Sequence, residues 1–399
     1  MSDHVVTLNA GSSSVKFAFF AVEGDGPRLV ASGQVEEIGA HAQFHARVVG
    51  GACAESGAEC DMGTADHRSA ICAILDWIER TFPHAVVAGI GHRVVHGGVD
   101  YAAPVVADAS VIAALRALEP LAPLHQPHNL AGLSAAHAAF PTTPQVICFD
   151  TAFHRGHAFV DEAYALPIEY YRRGLHRFGF HGLSYEYIAR RLRALDPVVA
   201  GGRVIVAHLG AGASLCALRD GRSVASTMGF SALEGLPMAT RCGQIDPGLL
   251  LYLLDHDGLT SDELADLLYK RSGLKGLSGV SQDMRDLEAS AAPEAAAAID
   301  YFAHRIRIEI GALAAAVGGV DALVFTAGIG EHSATIREKV CSGLNWLGFA
   351  IDPPRNGAHE TRISPQDAPR PVFVLVTDEE AMIAHHTIEA LRLGAAPRR

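Results

Sequence analysis

The chain has 399 residues, of which 49% are hydrophobic and 19% are charged, and its formal net charge is −12. This length exceeds what one hydrophobic core comfortably serves and favours about two domains, while the apolar content excludes a disordered protein. The negative charge argues against nucleic acid or an anionic membrane as the main partner, because both are bound by basic faces.

The N-terminus and the cysteines favour a cytoplasmic protein. No basic stretch precedes an apolar run at the start, so no secretory signal is expected. The most apolar window, residues 310–329, contains Asp321 and a Gly pair, which favours a helix, a turn and a buried strand over a membrane span. The seven cysteines form no CxxC pair, so reduced thiols are expected.

The predicted elements begin with a hairpin. Residues 5–8 and 15–20 read as short strands on either side of turn material at 9–14. Helical stretches then alternate with buried strand-like runs, a pattern typical of an α/β fold. In chain order these are helix 70–81, strand 85–90, helix 110–118, strand 145–149 and helix 184–195.

The second half begins like the first. Residues 204–218 form another strand, Gly-rich turn and strand, which suggests a duplicated architecture. The domain boundary is expected within residues 151–162. The elements predicted after that passage are helix 299–317, strand 322–326, helix 333–347, a Pro-rich surface loop at 353–371, strand 372–377 and helix 379–393.

Two glycine-containing turns are candidate ligand loops. Residues 9–16 read NAGSSSVK, and a strand rather than a helix follows, so this is not a Walker A loop. Such a turn can still direct backbone N–H groups, hydroxyls and the Lys16 ammonium at a phosphate; the alternative is a solvated Ser-rich turn. Residues 326–331 read TAGIGE, the end of a strand followed by a Gly turn ahead of a helix. The glycines can allow the backbone to approach an anion closely; the alternative is that they only permit a tightly packed turn.

Four charged or polar residues each follow a strand or lie in a Gly-rich loop. They are Arg93, Asp150, His181 and Arg241. One Arg on a loop is usually a solvated charge, but two Arg, one Asp and one His in such positions suggest an anion-binding cleft. The paired histidines of the chain have no HExxH pattern, which argues against a zinc site.

Ten sequence blocks occur in the order seen in the acetate and propionate kinase family. They are NAGSSSVKF, GHRVVHGG, APLHQPHN, FDTAFH, RFGFHG, HLGAG, MGFSALEGLPMATRCGQIDPG, SGLKGLSGVSQDMRDL, FTAGIGE and TDEE. The chain therefore resembles this family over residues 9–380. The resemblance implies an α/β fold of two duplicated actin/ribonuclease H-like domains with a nucleotide cleft between them. The domains it implies are residues 1–151 with 381–399, which carry the phosphate hairpin, and 152–380, which carry the adenosine-binding elements.

The resemblance also implies roles for individual residues. The catalytic residues are Arg93, Asp150, His181 and Arg241. The acyl substrate would contact Arg93, Val95, Leu124, Phe180 and Ala232, with His125 in the same cleft. The nucleotide would contact Ser12, Ser14, Lys16, His208, Gly210, Gly212, Asp283, Met284, Arg285, Gly328 and Gly330. The metal ligands would be Asn9 and Glu379.

The activity implied is phosphoryl transfer from ATP to a short-chain carboxylate, acetate or propionate, which gives an acyl phosphate and ADP reversibly by direct in-line transfer. Mg²⁺ is the implied metal, with Mn²⁺ as a substitute, and a cytoplasmic homodimer is the implied form. A carboxylate is already ionised at neutral pH, so the site needs cations and N–H donors to offset anion repulsion rather than a strong base.

Other functions stay open from the residues. A butyrate-type kinase would have a bulkier pocket, a non-kinase ATPase switch of the chaperone and actin superfamily would ignore carboxylates, and a metal-binding hydrolase would use the His loops.

Several positions also depart from the family pattern. Ala211, His332 and Asp378 replace Asn; Ala225 and Gln244 replace Asp; Ala232 replaces Pro; and the block HGTSH reads HGLSY at 181–185. Ala211 removes a side chain near the phosphates, and Ala232 leaves room for propionate.

Overall fold

The computed structural model describes residues 3–11, 13–24, 26–49, 57–123 and 125–394. It divides into two compact units, Met1–Phe153 with Asp378–Arg399, and His154–Thr377. The boundaries predicted from the sequence lie after residue 151 and before residue 381. The roles assigned to the two domains stay predictions.

Each unit is built on a mixed β-sheet. The strands are β1 (Asp3–Ala10), β2 (Val15–Glu23), β3 (Gly26–Glu36), β4 (Ala42–Val48), β5 (Gly57–Gly63), β6 (Val86–Val94), β7 (Val105–Val106), β8 (Gln145–Phe149), β9 (Arg203–Leu209), β10 (Ala213–Arg219), β11 (Arg222–Ser226), β12 (Ala322–Thr326) and β13 (Val372–Val374). In the described chain the first sheet has the order β5-β4-β3-β2-β1-β6-β8-β7 and the second has the order β11-β10-β9-β12-β13.

Helices lie between and after these strands. They are α1 (His67–Thr81), α2 (Ala109–Arg116), α3 (Gln126–Ala139), α4 (Phe159–Glu162), α5 (Ile168–Arg172), α6 (Gly182–Leu195), α7 (Pro197–Ala200), α8 (Pro247–Asp255), α9 (Ser261–Lys270), α10 (Gly273–Ser278), α11 (Met284–Ala289), α12 (Pro293–Val317), α13 (Ala327–His332), α14 (Ala334–Ser342), α15 (Pro353–Gly357) and α16 (Glu379–Leu391). Within the described residues, none of them is long and apolar enough to cross a bilayer.

The two sheets share one arrangement. In the first, β1 pairs antiparallel with β2 and parallel with β6, and β6 pairs parallel with β8. In the second, β9 pairs antiparallel with β10 and parallel with β12, and β12 pairs parallel with β13. The core order β3-β2-β1-β6-β8 therefore matches β11-β10-β9-β12-β13, and the predicted α/β fold with a duplicated architecture is confirmed.

The predicted N-terminal hairpin is confirmed but is longer than expected. Strands β3, β4 and β5 extend it antiparallel, and the sequence analysis did not predict them. In β4, Ala42, Phe44 and Ala46 are buried and alternate with more exposed residues, the period of a half-buried strand. The signal was present, but polar and glycine residues weakened it.

Three expectations for the second unit are corrected. Residues 327–332 form the helix α13 rather than a turn, and the predicted surface loop at 353–371 contains α15. The helix expected at 333–347 ends earlier, because α14 stops at Ser342 and a short 3-10 turn, Asn345–Leu347, follows. Local glycine and proline content indicated loops at the first two positions, but capping and packing stabilise helices there.

Candidate active site

Three predicted site residues lie together at one edge of the first sheet. Asn9 is near the end of β1, Arg93 is near the end of β6, and Asp150 directly follows β8. Since these strands run parallel, their carboxyl ends meet at the edge where α/β sheets bind ligands. Arg93 donates to both Asp150 carboxylate oxygens, from Nε at 2.9 Å and from Nη2 at 2.5 Å, and its Nη1 donates to Asn9 Oδ1 at 3.1 Å.

The guanidinium of Arg93 is a sheltered cation. Its side chain is 20% exposed, and that of Asp150 is 2% exposed. Burial opposes the charge, but Asp150 and then Glu379 outweigh burial, so the pKa of Arg93 is raised above its ordinary value. Glu379 Oε2 lies 3.8 Å from Arg93 Nε. A fixed, always charged planar donor of this kind is suited to binding a carboxylate or a phosphoryl group.

Acidic side chains begin α16 beside this guanidinium. Glu379 and Glu380 occupy its first turn. Burial and the neighbouring charge of Glu379 raise the pKa of Glu380, while Lys16 opposes that shift. This excess of negative charge fits a divalent cation, and Mg²⁺ typically uses one or two carboxylates together with substrate phosphates. The described residues contain no group of three or more His, Cys, Asp or Glu side chains arranged to hold a metal.

The predicted phosphate turn connects β1 to β2. Gly11 N donates to Ser14 O at 2.8 Å and closes the turn. Lys16 is exposed on β2 and pairs with Asn9 in the strand register. Ser12, also predicted to contact phosphate, lies outside the described residues. The predicted side chains of this turn therefore adjoin the Arg93 cluster through the hairpin itself.

Two residues that support this turn were missed by the sequence analysis. Asn129 on α3 donates from Nδ2 to Ala10 O at 2.6 Å and accepts from Val95 N at 3.0 Å. His67 Nε2 lies 2.7 Å from Gly11 O. Asn129 belongs to the block APLHQPHN, so its presence in a family motif was the available signal.

In the second unit, His181 and Arg241 approach the same glycine. His181 precedes α6 in a left-handed conformation, with φ 58° and ψ 25°, which is uncommon for a residue with a side chain and clusters at functional sites. A Cβ on Gly212 would lie 3.2 Å from His181 Nε2 and 3.9 Å from Arg241 Nη1. The bare backbone at Gly212 therefore allows an imidazole and a guanidinium to approach one point.

A second histidine, His208, stacks on His181. The ring centroids are 4.1 Å apart and the planes differ by 18°. His181 Nδ1 lies 2.8 Å from Ser214 Oγ, and His208 Nδ1 lies 2.8 Å from Ser184 Oγ. A Cβ on Gly210 would lie 4.0 Å from His208 Nε2. Each ring is thus held by a serine at Nδ1 and presents Nε2 to the Gly-rich turn after β9.

The residues predicted to wall the acyl pocket are placed as follows. Val95 and Phe180 are buried. Ala232 is half-buried, and its carbonyl accepts from Arg241 Nη1 at 2.9 Å. Leu124 lies outside the described residues, and His125 directly precedes α3. That these residues together form an acyl pocket stays a prediction.

A cavity of about 500 Å³ opens in the second unit, a size typical of small-molecule sites. Predicted nucleotide-binding residues and several neighbours line it. The predicted ones are Gly210, Asp283, Met284, Arg285 and Gly328. The others are Ala211, Ala239, Gln282, Glu288, Ile329, His332 and Ser333.

An ion pair belongs to this cavity lining. Arg285 Nη2 donates to Asp283 Oδ2 at 2.6 Å, and Asp283 Oδ1 also caps α11 by accepting from Arg285 N at 2.9 Å. The side-chain and backbone hydrogen bonds of Arg285 lower the pKa of Asp283 to about 2. Because the Arg285 side chain is 89% exposed, its guanidinium remains accessible to a ligand.

Gly330, unlike Gly328, is not among the residues that line the cavity. It lies within α13, where a Cβ would be 3.5 Å from Ala207 O, an ordinary van der Waals distance. Two residues that the sequence analysis did not single out hold α13 in place. Glu331 accepts from Ala327 N at 2.8 Å, and buried Arg337 donates to Gly330 O at 2.9 Å and to Glu331 O at 2.8 Å.

Comparison with known proteins identifies the family of this chain. The Acetokinase family pattern matches residues 4–385. The chain belongs to the acetokinase family. It is 52% identical to an acetate kinase from Methylocella silvestris over 99% of this chain and 100% of that protein.

Solved structures of the acetokinase family superpose closely on this chain. A propionate kinase from Francisella tularensis gives a TM-score of 0.90 at 34% identity, and an acetate kinase from Porphyromonas gingivalis gives 0.87 at 35% identity. Each comparison covers 98% of this chain and 100% of the other. The family predicted from the ten sequence blocks is therefore confirmed.

Proposed function

We propose that this acetokinase family member transfers a phosphoryl group from ATP to acetate and forms acetyl phosphate and ADP reversibly. It is a phosphotransferase with a carboxyl group as acceptor. The observation that carries this proposal is the guanidinium of Arg93, held by Asp150 at the carboxyl edge of the sheet, in a chain 52% identical to an acetate kinase.

The chemistry requires charge stabilisation rather than a base. Acetate is ionised at neutral pH, as carboxyl groups with pKa values of about 4 are. One carboxylate oxygen attacks the γ-phosphorus, a P–O bond forms, the bond to the bridging oxygen breaks, and ADP leaves with the electron pair. We assign Arg93, Arg241 and His181 to the charge that develops on the equatorial oxygens.

Asp150 acts on this reaction through Arg93. Both of its carboxylate oxygens accept hydrogen bonds from the guanidinium. This bidentate geometry fixes the plane of the guanidinium. Asp150 is therefore proposed to orient Arg93 rather than to take up a proton.

Mg²⁺ is the proposed metal, with Mn²⁺ as a substitute. Asn9 and Glu379 offer hard oxygen ligands, and the excess negative charge around Glu380 favours a cation there. When bound with the nucleotide, Mg²⁺ neutralises charge on the phosphates. The cavity lined by Asp283, Met284 and Arg285 is proposed to bind the adenosine.

The experiment traps the acyl phosphate with hydroxylamine. Purified protein is incubated with ATP and Mg²⁺ together with formate, acetate, propionate or butyrate, and the hydroxamate is measured beside ADP. We expect stoichiometric hydroxamate and ADP with acetate. ADP without hydroxamate would favour the ATPase switch, and a maximum at butyrate would favour the butyrate-type kinase. Activity restored after chelation by Zn²⁺ but not by Mg²⁺ would favour the hydrolase.

Propionate is proposed as a second substrate. The Francisella tularensis structure with a TM-score of 0.90 is that of a propionate kinase, and Ala232 is a small residue at a predicted pocket position. One methylene changes binding by about 1–3 kcal/mol, so kcat/KM for acetate and propionate is expected to differ by less than about 200-fold. An Ala232→Pro variant is expected to lower kcat/KM for propionate more than for acetate.

We further propose a cytoplasmic homodimer formed through the second unit. Leu251 and Tyr252 on α8, and Tyr301 and Ile308 on α12, expose apolar surface, and such surfaces favour burial against a partner. Light scattering at micromolar concentration is expected to give twice the chain mass. A monomer under those conditions would contradict the proposal.

A further inference from the structure

A tyrosine lies behind His181 that the proposed function does not use. Tyr185 is fully buried on α6, four residues after His181. Its hydroxyl oxygen lies 2.5 Å from Ser214 Oγ, and the same Oγ lies 2.8 Å from His181 Nδ1. Ser214 is itself completely buried. These contacts form a continuous path of hydrogen bonds from a buried phenol to the imidazole at the Gly-rich turn.

The hydroxyl of Tyr185 has a single hydrogen-bond acceptor among the described residues. Burial raises the pKa of Tyr185 well above its ordinary value, so the phenol keeps its proton at neutral pH. Among the described residues, Ser214 Oγ is the one hydrogen-bond partner of this hydroxyl. A buried donor without an acceptor is strongly disfavoured. Tyr185 therefore donates to Ser214.

The proton of Ser214 is then assigned in the same way. Its oxygen accepts from Tyr185, and its other side-chain partner in the described part of the chain is His181 Nδ1. Ser214 therefore donates to Nδ1. Because a neutral imidazole has one donor and one acceptor nitrogen, an accepting Nδ1 places the ring proton on Nε2.

This tautomer directs an N–H donor of His181 towards the Gly-rich turn. Nε2 is the atom that a Cβ on Gly212 would approach to 3.2 Å, on the side where Arg241 Nη1 also approaches. An N–H at this point attracts an anion, whereas the lone pair of the other tautomer would repel it. A free imidazole interconverts between both forms, so fixing one of them keeps the donor in place before the substrate arrives.

We propose that Tyr185 is a positioning residue, which acts through Ser214 to hold His181 as the neutral imidazole with its proton on Nε2. Only the expected effect of Tyr185 on kcat rests on the proposed function; the tautomer of His181 does not. This assignment deepens that function by naming the groups that prepare the His181 donor. In the family pattern the corresponding block is HGTSH, and the last His is Tyr185 in this chain.

The tautomer is measured directly by long-range ¹H–¹⁵N correlation spectra of protein labelled with ¹⁵N-histidine. The His181 signals are assigned by their loss in a His181→Asn variant. We expect an unprotonated Nδ1 and a protonated Nε2 at neutral pH in the full chain. In Tyr185→Phe the ring and its packing remain, but the donor to Ser214 is gone. The serine can then accept from Nδ1–H, so the His181 signals shift toward a mixture of the two tautomers.

Kinetics provide the second measurement. Tyr185→Phe is expected to lower kcat for hydroxamate formation on the order of tenfold, the rate equivalent of about one neutral hydrogen bond, and to leave KM for acetate and ATP within about twofold. Ser214→Ala is expected to have at least the same effect. Adding Tyr185→Phe to Ser214→Ala is expected to change kcat little further, because the two act in series. Tyr170→Phe, which removes an exposed phenol hydroxyl from α5, serves as the matched control.

Each outcome decides the inference. A wild-type His181 with its proton on Nδ1 overturns it, and so does a Tyr185→Phe protein with unchanged tautomer and rate. If Tyr185→Phe does not fold, the spectra of the wild type and of Ser214→Ala still test which nitrogen of His181 carries the proton. Ser214→Thr, which keeps a hydroxyl, is expected to show the wild-type tautomer. If the wild type forms no acyl phosphate at all, the proposed function fails while the spectra still test the tautomer.

Discussion

Replacing Arg93 by alanine removes the cation on which the proposed chemistry depends. Its guanidinium makes three close contacts with the Asp150 carboxylate and one with Asn9. Loss of an arginine that stabilises a transferring phosphoryl group lowers kcat by roughly 10³–10⁵. The same change deprives a carboxylate that is 2% exposed of its guanidinium, and breaking a buried pair lowers the free energy of unfolding by about 3–5 kcal/mol.

Hydroxamate formation gives the rate, and urea unfolding followed by circular dichroism gives the stability of the same preparation. The double variant Arg93→Ala with Asp150→Ala is expected to regain part of the stability and none of the rate, which separates the two effects. Arg203→Ala is the matched control, because Arg203 pairs with Asp321 through Nε at 2.9 Å and Nη2 at 2.7 Å with both side chains more than a third exposed. Such a surface pair contributes little to stability, because solvent screens its charges. If Arg93→Ala kept kcat within tenfold of the wild type, the assignment of Arg93 would be wrong.

Three further changes test other parts of the structure. Arg337→Met is expected to lower the free energy of unfolding by about 1–3 kcal/mol in urea titrations, because the carbonyls of Gly330 and Glu331 lose the donors of a buried guanidinium. Glu380→Gln is expected to stabilise the metal-free protein at pH 7.5, since burial and the Glu379 charge raise the pKa of Glu380 and make its ionisation unfavourable in the fold. That gain is full above the raised pKa and disappears as the pH falls below the ordinary Glu value of about 4.3. Gly212→Ala is expected to lower kcat by up to about 10², because the new methyl would lie 3.2 Å from His181 Nε2 and displace the ring.

Each of these has a control and a contradicting result. Arg355→Met removes a half-exposed arginine and should change stability by less than about 1 kcal/mol; an Arg337→Met protein of equal stability would contradict the structural role. A Glu380→Gln gain that persisted at pH 4 would show that its cause is not ionisation. Gly311→Ala on α12, where a Cβ meets nothing within 4 Å, should keep full activity. Full activity in Gly212→Ala as well would refute the close approach of His181.

Much of the fold was readable from local patterns. Apolar runs on both sides of a Ser-rich turn predicted the β1–β2 hairpin, and apolar residues at helical spacing predicted α12, whose buried face includes Ile299, Phe302, Ile306 and Ile310. Local patterns failed at α13, where two glycines in TAGIGE indicated a turn. The helix forms there because Arg337, six residues or more away in sequence, satisfies its carbonyls. Propensity is a weak prior that tertiary contacts override.

The sequence by itself determined the family, the fold class and the identity of the charged residues, because ten ordered blocks and the hydrophobic periodicity are properties of the linear chain. The tertiary structure alone decided which of those residues touch. Arg93 and Asp150 meet because β6 and β8 are parallel neighbours in the sheet, and His181 before α6 meets Ser214 on β10 although 33 residues separate them in the sequence. Hydrogen bonds form over distances of about 3 Å, and residue spacing along the chain does not specify positions at that scale.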